Sequence, residues 1–117
     1  MVVAIPTIRE SEDSAIDPRF GRANLFALFD SSSGKLVETL PNPYADARGG
    51  AGIQVCQMLI NKGVKAVIVT QIGPNSMSML QSAGVKIFSA PAGVTAKQAF
   101  DSFVKGELEE ITEIKRR

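Results

Sequence analysis

Three stretches hold the residues whose types and spacing could do chemistry: Arg19-Phe20-Gly21-Arg22, Arg48-Gly49-Gly50-Ala51-Gly52-Ile53-Gln54, and Ile72-Gly73-Pro74-Asn75. That chemistry is anion binding. The glycine-rich stretch lies just before an apolar helical stripe, where unpaired backbone N–H groups and the positive end of the helix dipole favour negative charge. Gly73-Pro74 places proline at a first helical position and again leaves N–H donors exposed. Arg19, Arg22 and Arg48 are the only arginines between positions 10 and 115. Two of them at contact distance from one anion would each contribute up to ~4 kcal/mol before desolvation. A helix terminus contributes ~0.3–2 kcal/mol. The arginines therefore supply the attraction, the amides of Gly49 to Gly52 and Gly73 to Asn75 set orientation, and the Gln54 and Asn75 side chains add donors. Each feature also has a plainer reading. Glycine and proline build turns, and Arg19 or Arg22 could pair with Asp13 or Asp17 in a surface ion pair of little weight.

Much other chemistry is excluded. With no histidine in the chain, His-based acid/base catalysis, Ser-His-Asp triads and His-rich metal sites cannot be built. A dinucleotide fingerprint starting at Gly50 would need glycine at position 55, which is Val55, and no phosphate-loop pattern occurs anywhere. The 13 Lys+Arg against 12 Asp+Glu leave a charge of +1, not the basic stripe of a nucleic-acid binder. Cys56 is the lone cysteine and cannot form an internal disulfide. One helical turn inward from Gly52, it is either a small hydrophobe or one soft metal contact, never a closed metal site. Met58, Met77 and Met79 read as core filler. No apolar stretch approaches the ~20 residues of a membrane span. The opening residues lack a signal-peptide pattern, so a reducing cytoplasm is the expected compartment.

The elements that must position these residues follow from hydrophobic period and turn chemistry. Val2 to Ile5 reads as a buried strand stopping at Pro6, residues 9 to 19 as a polar surface loop, and Leu25 to Phe29 with Lys35 to Leu40 as a hairpin around Asp30-Ser31-Ser32-Ser33-Gly34. A helix with the stripe Ile53, Cys56, Leu59 and Ile60 ends at Gly63. Val64 to Thr70 is a strand covered on both faces. A second helix opens at Gly73-Pro74, Val85 to Ala90 is a strand, and Thr95 with Gln98 starts a third helix through a capping box. The inward stripe of that helix is Ala96, Ala99, Phe100, Phe103 and Val104. Residues 1–106 form one domain, and residues 107–117 read as a polar tail. The order predicts an α/β fold on a mixed sheet, an antiparallel hairpin followed by parallel strands with helical crossovers. Ligands of such sheets gather at the carboxyl ends of parallel strands, where the loop after the first strand, Arg48 to Gln54, and Gln71 to Asn75 should meet.

At these residues the sequence resembles the dinitrogenase iron–molybdenum cofactor biosynthesis family, the NifX-like, NafY-like and NifB-C-terminal-like domains. The resemblance spans nearly the whole chain through Val3-Ala4-Ile5-Pro6, Arg19-Phe20-Gly21-Arg22-Ala23, Asn42-Pro43, Gly50-Ala51-Gly52-Ile53-Gln54 and Ile72-Gly73-Pro74-Asn75. It implies a ribonuclease-H-like three-layer fold with three helices around a five-stranded mixed sheet holding one antiparallel strand. It also implies a non-enzymatic carrier of an anionic metal–sulfur cluster, of Mo-Fe-S or Mo-Cu-S type, working with a cluster-donor or acceptor protein. Many members carry histidine just before Phe-Gly-Arg and before the Gly-Ala-Gly loop. This chain has Arg19 and Arg48-Gly49 there, which cannot ligate a metal but suit an anionic, sulfur-rich surface. The nuclease chemistry of the fold needs several carboxylates on adjacent strands, whereas Val2 to Thr7 has none. The other class open to the same crevice is a regulatory or adaptor domain that binds a phosphate-bearing metabolite or a protein partner.

Overall fold

The computed structural model describes residues 1–113. The first strand, β1 (Val2–Thr7), continues through Pro6 instead of stopping there. Pro6 is tolerated because pairing with the parallel neighbour ends at Ala4, so no N–H is needed on that side. β2 (Leu25–Asp30) and β3 (Lys35–Pro41) form the expected hairpin. In its turn Gly34 adopts φ +75° and donates to Asp30 O at 2.8 Å, a left-handed conformation that favours glycine. Then follow α1 (Ala51–Asn61), β4 (Val64–Val69), α2 (Pro74–Ser82), β5 (Lys86–Ser89), α3 (Ala96–Val104) and β6 (Glu109–Glu110).

The strands lie in the order β3-β2-β1-β4-β5-β6, with β2 and β6 antiparallel to their neighbours and the β1-β4-β5 pairings parallel. The sheet thus has six strands, not five. Glu109 and Glu110, expected in a polar tail, pair with Ser89 and Phe88, and Ile111 N donates to Ile87 O at 2.7 Å. The open edge of β5 needs only main-chain partners, which polar residues supply as well as apolar ones. The remainder of the expected tail, residues 114–117, lies outside the described residues.

Alternation along the strands divides the core between two faces. Ala4, Val67 and Val69 join Val55, Cys56 and Leu59 of α1 and Met77 and Leu80 of α2. Val3, Ile5, Ala66 and Ile68 join Ala96, Ala99 and Phe100 of α3, with Phe29 stacked on Phe100 at 4.4 Å. The result is three layers, α1 and α2 on one side of the sheet and α3 on the other.

Several expectations are corrected. α1 begins at Ala51, so its buried face is Ala51, Val55, Cys56 and Leu59, and Ile53 is exposed. Val104, the last residue of α3, is also exposed. The polar segment 9–19 is no surface loop throughout, since Ser14, Ile16 and Asp17 are buried. Ser14 Oγ accepts from Ile8 N and Arg9 N and donates to Ala15 O, replacing water for a turn that burial has dried. The same segment is bonded to α3, whose Ala96 N and Lys97 N donate to Ser14 O and Glu12 O.

Candidate functional site

The expected capping box closes the N-terminus of α3: Thr95 Oγ1 accepts from Gln98 N, and Thr95 N donates to Gln98 Oε1. The other two helices start differently. α1 begins after Gly50 at φ +69°, preceded by Gly49 at φ +72°, and α2 begins after Gly73 with Pro74 at its first position. Neither has a side-chain cap, so their first amides are left for something else. The chain thus caps the helix on the far face and leaves bare the two that meet near the end of β4.

Beside these termini lie two adjoining hollows. One, of about 340 Å³, is lined by Pro18 to Arg22, Gln71 to Gly73 and Ser76. The second, of about 260 Å³, is lined by Gly50, Gly52, Ile53 and Gly73 to Ser76. Gly73 and Ser76 belong to both. The three segments expected to meet therefore do meet, at the carboxyl side of the parallel strands.

Close approach explains the glycines. A Cβ on Gly21 would lie 3.0 Å from Gly52 Cα and 3.1 Å from its N, and a Cβ on Gly52 would lie 2.6 Å from Ser76 Oγ. The 3-10 turn Phe20–Arg22, the start of α1 and the start of α2 are thus packed in series, and side chains at 21 and 52 would force them apart. Phe20 anchors the turn, buried and edge-on to Phe26 at 5.6 Å. Asn42 Nδ2 donates to Gly21 O at 3.3 Å and to Ala23 O at 2.7 Å. Asn42, Gly21 and Phe20 shape the site from behind.

The three arginines have different places. Arg19 makes the ion pair with Asp17 that was the plainer reading: its Nε and Nη2 donate to the buried carboxylate at 3.1 and 3.0 Å. This bond and attraction raise the already high guanidinium pKa. The pair is close to neutral, so Arg19 offers the hollow its Nη1 group, which has no partner among the described residues, rather than a net charge. Arg22 also lines the hollow, and its Nη1 donates to Ala45 O at 3.3 Å and to Ala47 O. Among the described residues Arg22 has no carboxylate partner, so the net positive charge here is largely its own. Arg48 and Gly49 are exposed on the loop before α1 and line neither hollow.

Gln54, expected to add a donor, and Cys56, open to a small-hydrophobe or a soft-contact reading, line neither hollow. Gln54 is exposed and lines a separate hollow with Tyr44, Gln57, Met58, Asn61 and Lys62, since it lies off the buried face Ala51, Val55, Cys56 and Leu59 of α1. Cys56 is fully buried, its Sγ donating to Ser76 O at 3.7 Å, and burial pushes its thiol up to about 11. A protonated, enclosed thiol is a poor soft ligand. Ala51 is likewise buried, while Ile72 and Asn75 line the first and second hollows. Gln71 and Pro18 lie within the segments expected to meet but were not singled out, and Ser76 was not foreseen. Ser76 could have been found by counting three residues on from Gly73, where an uncapped helix start places a side chain beside the bare amides. Among the described residues no group of three or more Cys, Asp or Glu side chains could hold a metal ion.

The result is an α/β layer protein in which two helix starts without side-chain caps and two guanidinium groups border adjoining hollows, an arrangement of N–H donors of the kind that favours negative charge. Residues 1–106 match the dinitrogenase iron-molybdenum cofactor family, and the chain belongs to it. The apo form of the orange protein from Desulfovibrio gigas shares the fold with a TM-score of 0.89 at 29% identity, over 95% of this chain and 92% of that one. The solution structure of a NifB-like protein from Thermotoga has a TM-score of 0.83 at 38% identity, over 98% and 97%. An uncharacterised protein of Methanocaldococcus jannaschii is 26% identical over 111 residues, 93% of this chain and 90% of that protein.

Proposed function

We propose that this chain is a non-enzymatic carrier that holds an anionic metal–sulfur cluster, molybdenum-containing, at the two adjoining hollows, without covalent attachment. The observation that carries the reading is the contrast among helix starts: α3 is fully capped, while α1 and α2 start without side-chain caps beside two adjoining hollows, the first of which Arg19 and Arg22 line. Membership of an iron–molybdenum cofactor family and likeness to a protein solved in an apo form support a bound guest of this kind. The donor set suits it: amide and guanidinium N–H groups bond to the outer sulfides of a preformed cluster and leave its metals alone. The order β3-β2-β1-β4-β5 with β2 reversed supports the ribonuclease-H-like assignment, with residues 1–106 as the cluster-binding domain. A carrier of this sort works in the cytoplasm between a cluster donor and an acceptor protein.

The test is anaerobic reconstitution of the apo chain with tetrathiomolybdate, with and without copper, or with an Fe-Mo-S cluster, followed by desalting. The expected result is a coloured complex that Arg22→Ala retains poorly. Colourless protein after every reconstitution, together with a thermal shift by phosphate-bearing metabolites, would replace the cluster by a phosphate ligand.

A further inference from the structure

Asn42, directly after β3, is only 7% exposed. Its Nδ2 donates to Gly21 O at 3.3 Å and to Ala23 O at 2.7 Å, and its Oδ1 accepts from Tyr44 N at 2.9 Å. The two acceptors are the carbonyls on either side of Arg22. Tyr44 opens the bend closed by Ala47 N donating to Tyr44 O at 3.0 Å, and it is the Ala45 and Ala47 carbonyls of this bend that receive Arg22 Nη1. One buried carboxamide thus holds both the backbone that carries the guanidinium and the carbonyls that anchor it. Two carbonyls need an NH2 group and an N–H needs an oxygen, so all three bonds require a carboxamide.

We propose that Asn42 is a positioning residue for the guest: it holds the Arg22 guanidinium in place before an anion arrives, so that affinity depends on a side chain lining neither hollow. The inference rests on the carrier reading for its guest, but the bond network stands without it. A long side chain free to rotate must be ordered when it binds, and that ordering subtracts from affinity. Arg22 is ordered in advance, anchored through Nη1. Its Nε and Nη2 have no protein partner among the described residues, and the residue lines the first hollow. A planar guanidinium can be anchored at one nitrogen and still donate from the others, which a lysine ammonium does with less directional control. Without Asn42 the charge of Arg22 remains but its place does not.

The test is a double-mutant cycle on equilibrium binding of tetrathiomolybdate, run well below every melting temperature. Asn42→Leu is close in size and uncharged, so it removes the three bonds without repelling the anion. It should weaken binding roughly three- to tenfold, the scale of ordering one long side chain. In an Arg22→Ala background the same substitution should cause no further loss. Asn42→Ser, which retains one hydroxyl, carries the cycle if Asn42→Leu does not fold. Unchanged affinity in the Asn42 variant, or the same fold-loss with and without Arg22, overturns the proposal and leaves the carrier reading standing. A second measurement needs no anion: 15N relaxation of Arg22 Nε, assigned by its disappearance in Arg22→Ala, should report an ordered side chain in the wild type and a mobile one in the Asn42 variant. Equal mobility in the two overturns the proposal. A wild-type chain that binds no tetrathiomolybdate but shows this difference in mobility overturns the carrier reading alone.

Discussion

Replacing Gly21 by alanine tests whether the site is held together by backbone contact between the 3-10 turn and the start of α1. The added Cβ would meet Gly52 Cα at 3.0 Å and Gly52 N at 3.1 Å. These are main-chain atoms of a helix start, which cannot rotate aside as a side chain can. Overpacking of this kind costs about 1–3 kcal/mol. Alanine recovers about 0.4–1 kcal/mol by restricting the unfolded chain, so the net loss is about 1–2 kcal/mol. A chain of this size loses roughly 3–6 °C of melting temperature per kcal/mol, and urea unfolding gives the same quantity independently. Gly52→Ala is the internal control. Its Cβ would meet Ser76 Oγ at 2.6 Å, the end of a side chain that can turn away, so it should cost less stability while obstructing the hollow. A Gly21→Ala chain that melts at or above the wild type would refute the packing argument.

Other outcomes follow from the same geometry. Arg22→Ala removes the donor to Ala45 O and Ala47 O, which should cost about 1–3 kcal/mol and speed tryptic cleavage after Arg48, read by mass spectrometry; an unchanged cleavage rate would mean that Arg22 does not tether this loop. Cys56 titrates from an ordinary 9.0 up to about 11 in the fold. The unfolded thiol therefore ionises first, and stability falls as pH rises from about 9 to about 11. Cys56→Ala should lose that component of the alkaline slope, and slopes that match the wild type would rule out a buried thiol. Thr7 is 1% exposed and its Oγ1 has no partner among the described residues, so Thr7→Val should hold or raise stability by up to about 1 kcal/mol. A clear fall in Tm would show that the hydroxyl is bonded in solution.

The strands and helices were legible because their signals are local. The apolar run Val64 to Val69, the turn at Gly34 and the Thr95–Gln98 capping box each specify their own geometry within a few residues. The meeting of three segments at one end of the sheet was also legible, because parallel strands with crossovers place their loops on one edge. What failed was phase and partner. α1 buries the face of Ala51, Val55, Cys56 and Leu59, which leaves Ile53 exposed and Gln54 beside another hollow. β6 was invisible because Glu109 and Glu110 pair through their main chain, which side-chain composition does not report. The pairing of Arg19 with Asp17 was open to the sequence but the burial of that carboxylate was not, and the contact of Gly21 with Gly52 joins residues whose nearness only the tertiary fold creates. The glycines looked like turn formers. Gly49 and Gly50 are that, with φ near +70°, but Gly21 and Gly52 serve by leaving room.

The bonds from Ala96 N and Lys97 N to Ser14 O and Glu12 O carry a consequence for how the molecule is born. The segment leading to Asp17 and Arg19 is clamped by a helix made some eighty residues later, as the distance between positions 14 and 96 shows. During translation the early hairpin can assemble while this lip is still slack, because its clasp has not left the ribosome. Contacts so far apart in sequence form late. The pocket's rim is therefore the last part to set, and a nascent chain stalled before α3 would have walls but no finished mouth.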